Sequence, residues 1–212
     1  MLKLGNVLII GDSYSTFKDC IPQGYETWYP NPETDVENVE QTWWKQLISD
    51  TESNLVLNNS WSGTTVGNTG YGGSDCTKTS FIGRFDELAN NGFFKENKID
   101  TLFIFGGTND SWSDAPIGEI KESDWEREDL FKILPAFSYL LHRIKEELPD
   151  AKTVCTLNTE LKTEITDNFK LLCDKNAVTA VVLKKVDKIA SHPSVVGMRK
   201  IKEQVIEKLI QE

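Results

Sequence analysis

The 212-residue chain is short of histidine, of paired cysteines and of positive charge, and each shortage closes off a class of function. Only His142 and His192 are present, so a reaction that needs an imidazole has two candidates. Cys20, Cys76, Cys155 and Cys173 show no Cys-x-x-Cys spacing, which indicates neither a zinc site nor a redox motif. Cys155 falls in a strand-like run and Cys173 in a helix-like one, where buried free thiols are the ordinary outcome. Cys20 and Cys76 fall in loops and would pair only in an oxidising compartment. With 23 basic residues against 33 acids, the net charge of -10 repels phosphate backbones and anionic lipid. Neither nucleic acid nor a membrane surface is therefore expected as a partner, and solubility is the plain reading of the charge. No apolar run is long enough to span a bilayer, and Leu2 to Ile10 is too short for a secretory signal with its cleavage site. The chain as it stands is expected in the cytoplasm, with export requiring a leader removed from in front of it.

What is present is ordinary for a soluble globular protein: 39% hydrophobic and 26% charged residues. The length suits one domain over 1–212 with a sizeable core. Strand and helix signals alternate throughout. Apolar, β-branched runs predict strands at Leu4–Ile10, Asn54–Asn59, Thr101–Phe105, Thr153–Leu157 and Val178–Val182. Helical spacing predicts a helix after Thr42 and others at Ser80–Asn90, Glu126–Leu148 (bent at Pro135), Glu160–Lys175 and Ser194–Ile210. Five strands alternating with helices imply an α/β fold with a parallel sheet covered on both faces. The connection from Tyr14 to Gln41, with three prolines, is long enough to be functional or mobile.

Polar turns fall after the carboxyl ends of the first three strands, where open parallel sheets bind ligands. The first is Gly11-Asp12-Ser13, which offers Ser13 as a nucleophile, although a serine in such a turn often only satisfies backbone donors. Gly63 and Asn109 are candidate oxyanion donors; alone, each reads equally well as a turn glycine or a helix-capping asparagine. His192, in the loop before the last helix, is the candidate base, whereas His142, beside Leu140, Leu141 and Ile144 in a helix, reads as a surface or packing residue.

Ser13 in Gly-Asp-Ser, Gly63 after Asn59, Asn109 in Gly-Thr-Asn-Asp and His192 in His-Pro resemble, in order, the four motif blocks of the SGNH (GDSL) hydrolases. That resemblance implies a flavodoxin-like three-layer α/β/α fold with a five-stranded sheet. It also implies ester hydrolysis through an acyl-enzyme, with Ser13 as nucleophile, His192 as base, and an oxyanion hole made by Ser13 N–H, Gly63 N–H and Asn109. No metal or cofactor is implied. The family's aspartate, three residues before the histidine, is replaced by Ile189. Asp187 is the nearest acid, and a main-chain carbonyl is the alternative partner for the ring.

Trp28, Trp61, Tyr71 and Trp112 lie in loops beside these motifs and are candidate substrate-binding residues, their other reading being loop-packing anchors. The expected substrate is a small-molecule or glycan ester with a short acyl group. A thioesterase, lysophospholipase or acyltransferase would use the same serine, and a catalytically silent carbohydrate-binding module is the rival from outside enzymology. Oligomeric state is not legible.

Overall fold

Alternation along the first strand dictates that the sheet be covered twice. On β1 (Asn6–Gly11), Val7 and Ile9 enter one core and Leu8 and Ile10 the other. On β3 (Thr101–Gly106), Phe103 and Phe105 join the first core, and Leu102 and Ile104 the second. The computed structural model describes residues 2–211. Its main sheet adds β2 (Asn54–Ser60), β4 (Lys152–Leu157) and β5 (Thr179–Val182), all parallel, in the order β2-β1-β3-β4-β5. This is the flavodoxin-like order.

On one face lie α1 (Trp43–Asp50) and α7 (Val195–Gln211), burying Trp43, Leu47, Met198, Ile201 and Val205. On the other lie α2 (Phe81–Asn90), α5 (Ile133–Glu147) and α6 (Thr163–Lys175), burying Phe85, Phe137, Leu140, Phe169 and Leu172. Two short helices, α3 (Phe93–Glu96) and α4 (Thr108–Trp112), follow α2 and β3. Thr42 and Ser80 cap α1 and α2 by accepting from Lys45 N–H and Gly83 N–H.

One helix departs from its sequence signal. A single helix from Glu126 bent at Pro135 is not formed. A 3-10 turn at Arg127–Phe131 ends in extended backbone at Lys132, and α5 begins at Ile133. Pro135 thus lies in the first turn, where a missing N–H breaks no helical bond and no bend is needed. The turn closes locally because Asp129 accepts from Glu126 N–H at 3.0 Å. The longest helix among the described residues is α7, not α5.

Two further features position the site. A hairpin joins β6 (Lys188–Ile189) to β7 (His192–Pro193), with Ile189 opposite His192. Its two-residue loop, Ala190 and Ser191, has φ of 48° and 64°, as a type I′ turn requires. The long Tyr14–Gln41 connection is not a loose flap. Tyr29 and Val36 are fully buried against the α1/α7 core. Tyr29 Oη donates to Pro193 O at 2.7 Å, and Asp35 accepts from Val195 N–H at the start of α7. All four cysteines are unpaired, and Cys155 and Cys173 are buried. No described helix is long and apolar enough to cross a membrane.

The two aromatic rings that join α5 to α6 stack face to face, with Phe137 and Phe169 centroids 3.8 Å apart. Phe137→Ala is expected to lower unfolding free energy by about 3–5 kcal/mol through the cavity it leaves, as read by urea denaturation.

Candidate active site

The strand β1 ends where backbone and side chains converge too closely for a side chain at Gly11. A Cβ there would lie 2.7 Å from Ser60 Oγ and 2.8 Å from Ser15 Oγ. Beyond it, Asp12 accepts from Tyr14 N–H at 3.1 Å and caps the 3-10 turn Ser13–Ser15. Ser13 is thereby fixed at the carboxyl edge of a central strand, with its neighbours β2 and β3 on either side.

The hairpin carries His192 to the same edge. Its Nε2 lies 2.9 Å from Ser13 Oγ, and its Nδ1 lies 3.0 Å from Ala190 O. A carbonyl oxygen only accepts, so Nδ1 carries the proton and Nε2 is left to accept from the hydroxyl. Burial lowers the His192 pKa from its usual value; the Ala190 bond opposes this and the nearby charge of Lys188 adds to it. The ring is therefore neutral, and ready to take a proton, at neutral pH.

Of the two partners open to the ring, the structure holds the carbonyl, which corrects the assignment of Asp187. The left-handed conformations of Ala190 and Ser191 fold the chain so that Ala190 O turns back onto Nδ1. Asp187 lies outside the hairpin, where Oδ2 accepts from Ser194 Oγ and its carbonyl accepts from Ser194 N–H. Ser194 Oγ in turn accepts from Gly197 N–H in the first turn of α7. Asp187 organises the start of a helix, not the imidazole.

Asn109 sits in the first turn of α4, 4% exposed. Its Nδ2 donates to Thr64 O at 2.9 Å, which fixes the amide orientation, and its Oδ1 accepts from Tyr71 Oη at 2.8 Å. One Nδ2 hydrogen remains for a ligand. Gly63 occupies an exposed turn at φ 78°, a conformation that favours glycine. Its flanks are anchored, with Ser62 N–H donating to Glu26 O at 2.9 Å and Thr64 Oγ1 to Trp61 O at 2.7 Å.

Behind these donors lies a buried guanidinium that the sequence reading passed over. Arg84 is fully buried and donates to Thr79 O at 2.9 Å, Gly11 O at 3.2 Å and Thr64 Oγ1 at 3.0 Å, and also to Asn59 O. It thus ties together the end of β1, which leads into Ser13, and the loop that carries Gly63. Its signal was an arginine on the apolar stripe of Phe81, Phe85 and Leu88. Two buried carboxyls accompany it. Burial pushes Asp110 up to about 6 against the pull of Val66 and Gly67 N–H, and Asp12 up to about 7 against Tyr14 N–H and Arg84. A second network holds the hairpin: Tyr14 Oη donates to Ser191 O at 2.7 Å, and Asn158 Nδ2 donates to Tyr14 Oη. Lys188 reaches Asn158 Oδ1 and Glu160, both at 3.1 Å.

The four aromatic candidates all come to this edge, with different partners. Trp28 stacks on His192, and the imidazole covers one face of the half-buried indole. Trp61 stacks on Tyr25, with centroids 4.0 Å apart. Tyr71 holds Asn109 while its ring stays 48% exposed, and Trp112, 37% exposed, stands 6.4 Å from the His192 ring. No group of three or more His, Cys, Asp or Glu among the described residues is placed to hold a metal ion.

The chain is similar to known proteins. The sequence profile described as GDSL-like lipase/acylhydrolase matches residues 5–209. The solved structure of a protein described as a GDSL-like lipase from Bacteroides uniformis is similar at 39% identity and a TM-score of 0.91, over 98% of this chain and 96% of its own. Another, from Bacteroides ovatus, is 37% identical with a TM-score of 0.92, over 100% of both chains. A family two carbohydrate esterase from Clostridium thermocellum, solved with cellohexaose, shares the fold at 16% identity and a TM-score of 0.66, over 100% of this chain and 65% of its own. No curated protein sequence matches the chain. The chain belongs to the GDSL-like lipase/acylhydrolase family, and it is a hydrolase of the ester-cleaving kind.

Proposed function

We propose that the protein hydrolyses short acyl esters of a carbohydrate or similar polyol, using Ser13 and His192 as a catalytic dyad. The observation that carries this reading is the hydrogen bond of His192 Nε2 to Ser13 Oγ, with Nδ1 engaged by Ala190 O. His192 takes the hydroxyl proton as Ser13 Oγ bonds to the acyl carbon. The carbonyl oxygen gains negative charge, which the N–H groups of Ser13 and Gly63 and the free Nδ2 hydrogen of Asn109 receive. Nε2–H then gives its proton to the departing alcohol oxygen, leaving the acyl group on Ser13. Water, deprotonated by Nε2, attacks that carbon; the acid departs and Ser13 regains its proton.

The surroundings favour a small acyl group on a polar leaving group. The carboxyl edge of the sheet is floored by buried polar side chains, among them Asn59, Ser60, Thr64, Thr108 and Asn158. These nearly inaccessible side chains fix the strand ends beneath the site. The exposed rings of Tyr71 and Trp112 offer flat apolar faces beside it. The engaged dyad favours an enzyme over a silent binding module.

Ser13→Ala is expected to cut turnover of an activated acetate ester by about 10⁴-fold or more while the melting temperature holds. Retained hydrolysis would remove Ser13 from its role. Asn109→Ala is expected to lower kcat by about 10²–10³-fold with little change in KM, as steady-state kinetics would show. Because burial lowers the His192 pKa, kcat/KM is expected to stay level through neutrality and fall only as pH drops below the usual histidine range. Asp187→Asn is expected to leave that acid limb where it is; a shifted limb would restore a triad. A series of esters of rising acyl length should peak at acetyl, and a long-chain optimum would favour a lysophospholipase or thioesterase.

A further inference from the structure

The proton transfer just described creates a positive charge on His192, and among the described residues no carboxylate is in contact with the ring to balance it. Its nitrogens meet a neutral hydroxyl and a neutral carbonyl. The charged group facing it from the hairpin is Lys188, which carries the same sign and is paired with Glu160. From the Ser13–Ser15 turn comes the Tyr14 ring, inclined at 61° to the imidazole with centroids 5.2 Å apart, and the Asp12 carboxyl is turned to Tyr14 N–H. From the long connection comes the Tyr29 ring, at 81° to the imidazole with centroids 6.3 Å apart, and from α4 the Trp112 ring, at 74° and 6.4 Å.

One neighbour presents a full face. The Trp28 ring lies 3.7 Å from the His192 ring, centroid to centroid, at an interplanar angle of 10°. The stack is built from both sides. Trp28 N–H donates to Thr16 Oγ1 at 2.9 Å, and the next residue, Tyr29, donates to Pro193 O, the residue after His192. The indole face is the negative pole of the ring quadrupole, so it attracts an imidazolium more strongly than an imidazole.

We propose that Trp28 is a positioning and charge-stabilising residue whose indole face supports the imidazolium of His192 from above the ring plane, while Ala190 O holds Nδ1 within it. This rests on the dyad reading above. The stack acts through the base and makes no bond in the reaction, so its effect is electrostatic and graded with the electron density of the ring.

Substitution of Trp28 alone by tryptophans bearing one, two and three fluorines withdraws that density with little change of shape. The His192 ring is followed by NMR titration of the full chain, with the other signal assigned from His142→Gln. The His192 pKa is expected to fall stepwise, by on the order of half a unit to one unit across the series. The plateau of kcat on an activated acetate ester should fall in parallel by about threefold to tenfold. A pKa that stays flat across the series would overturn the proposal, and a fall in kcat without that shift would make Trp28 a packing residue only. Were the unmodified protein to hydrolyse no ester, the dyad reading would fail, yet the titration series would still decide whether the stack supports the charge.

Discussion

The structure depends on one hydrogen bond between residues 179 positions apart, from His192 Nε2 to Ser13 Oγ. Its ends come from the first strand and from the hairpin before the last helix. Both must be held to within a few tenths of an ångström for the bond to matter. On the serine side, the close approach at Gly11 and the Asp12 cap set the turn. On the histidine side, a hairpin held in left-handed backbone supplies the carbonyl that fixes the tautomer. The long connection from Tyr14 to Gln41 then joins the two sides, because Trp28 and Tyr29 lie in it and reach His192 and Pro193.

The proposed oxyanion donors are organised from beneath by a buried cation. Among the described residues Arg84 meets no carboxylate directly; it gathers the carbonyls of Asn59 and Gly11 at the ends of two strands, Thr79 O and the Thr64 hydroxyl. Thr64 O receives Asn109, so one guanidinium connects indirectly to the side chain that would face the substrate oxygen. A buried charge of this kind is costly unless its donors are satisfied, and here the surrounding carbonyls satisfy them while Asp12 and Asp110 lie in the same layer. The arrangement is a rigid frame for donors, consistent with electrostatic stabilisation that needs no rearrangement during reaction.

Much of the fold was legible because strand and helix periodicities are local. The apolar runs at Val7–Ile10 and Leu102–Phe105 marked strands buried on both faces, and Thr42 and Ser80 marked helix starts. The break before Ile133 was hidden because residues 126–148 keep helical spacing while the Glu126–Asp129 contact closes a separate turn. At the site, Ser13, Gly63, Asn109 and His192 were legible as turn residues following strands or preceding a helix. A main-chain carbonyl was open as one of two partners for the ring, but its source was hidden, because Ala190-Ser191 lacks the glycine or asparagine that announces a two-residue hairpin. Trp28 was visible as an aromatic in a loop, but its contact with position 192 depends on how the connection folds back, and no local pattern encodes that.

The central claim is that one face of the molecule holds a serine, its base and its oxyanion donors in working geometry. The most direct measurement is a crystal structure of the protein after reaction with a fluorophosphonate. The account predicts a covalent bond to Ser13 Oγ. It also predicts a phosphoryl oxygen within hydrogen-bond reach of Ser13 N–H, Gly63 N–H and Asn109 Nδ2, with His192 Nδ1 still on Ala190 O. An unmodified Ser13, or an adduct whose oxygen points away from Gly63 and Asn109, would contradict it.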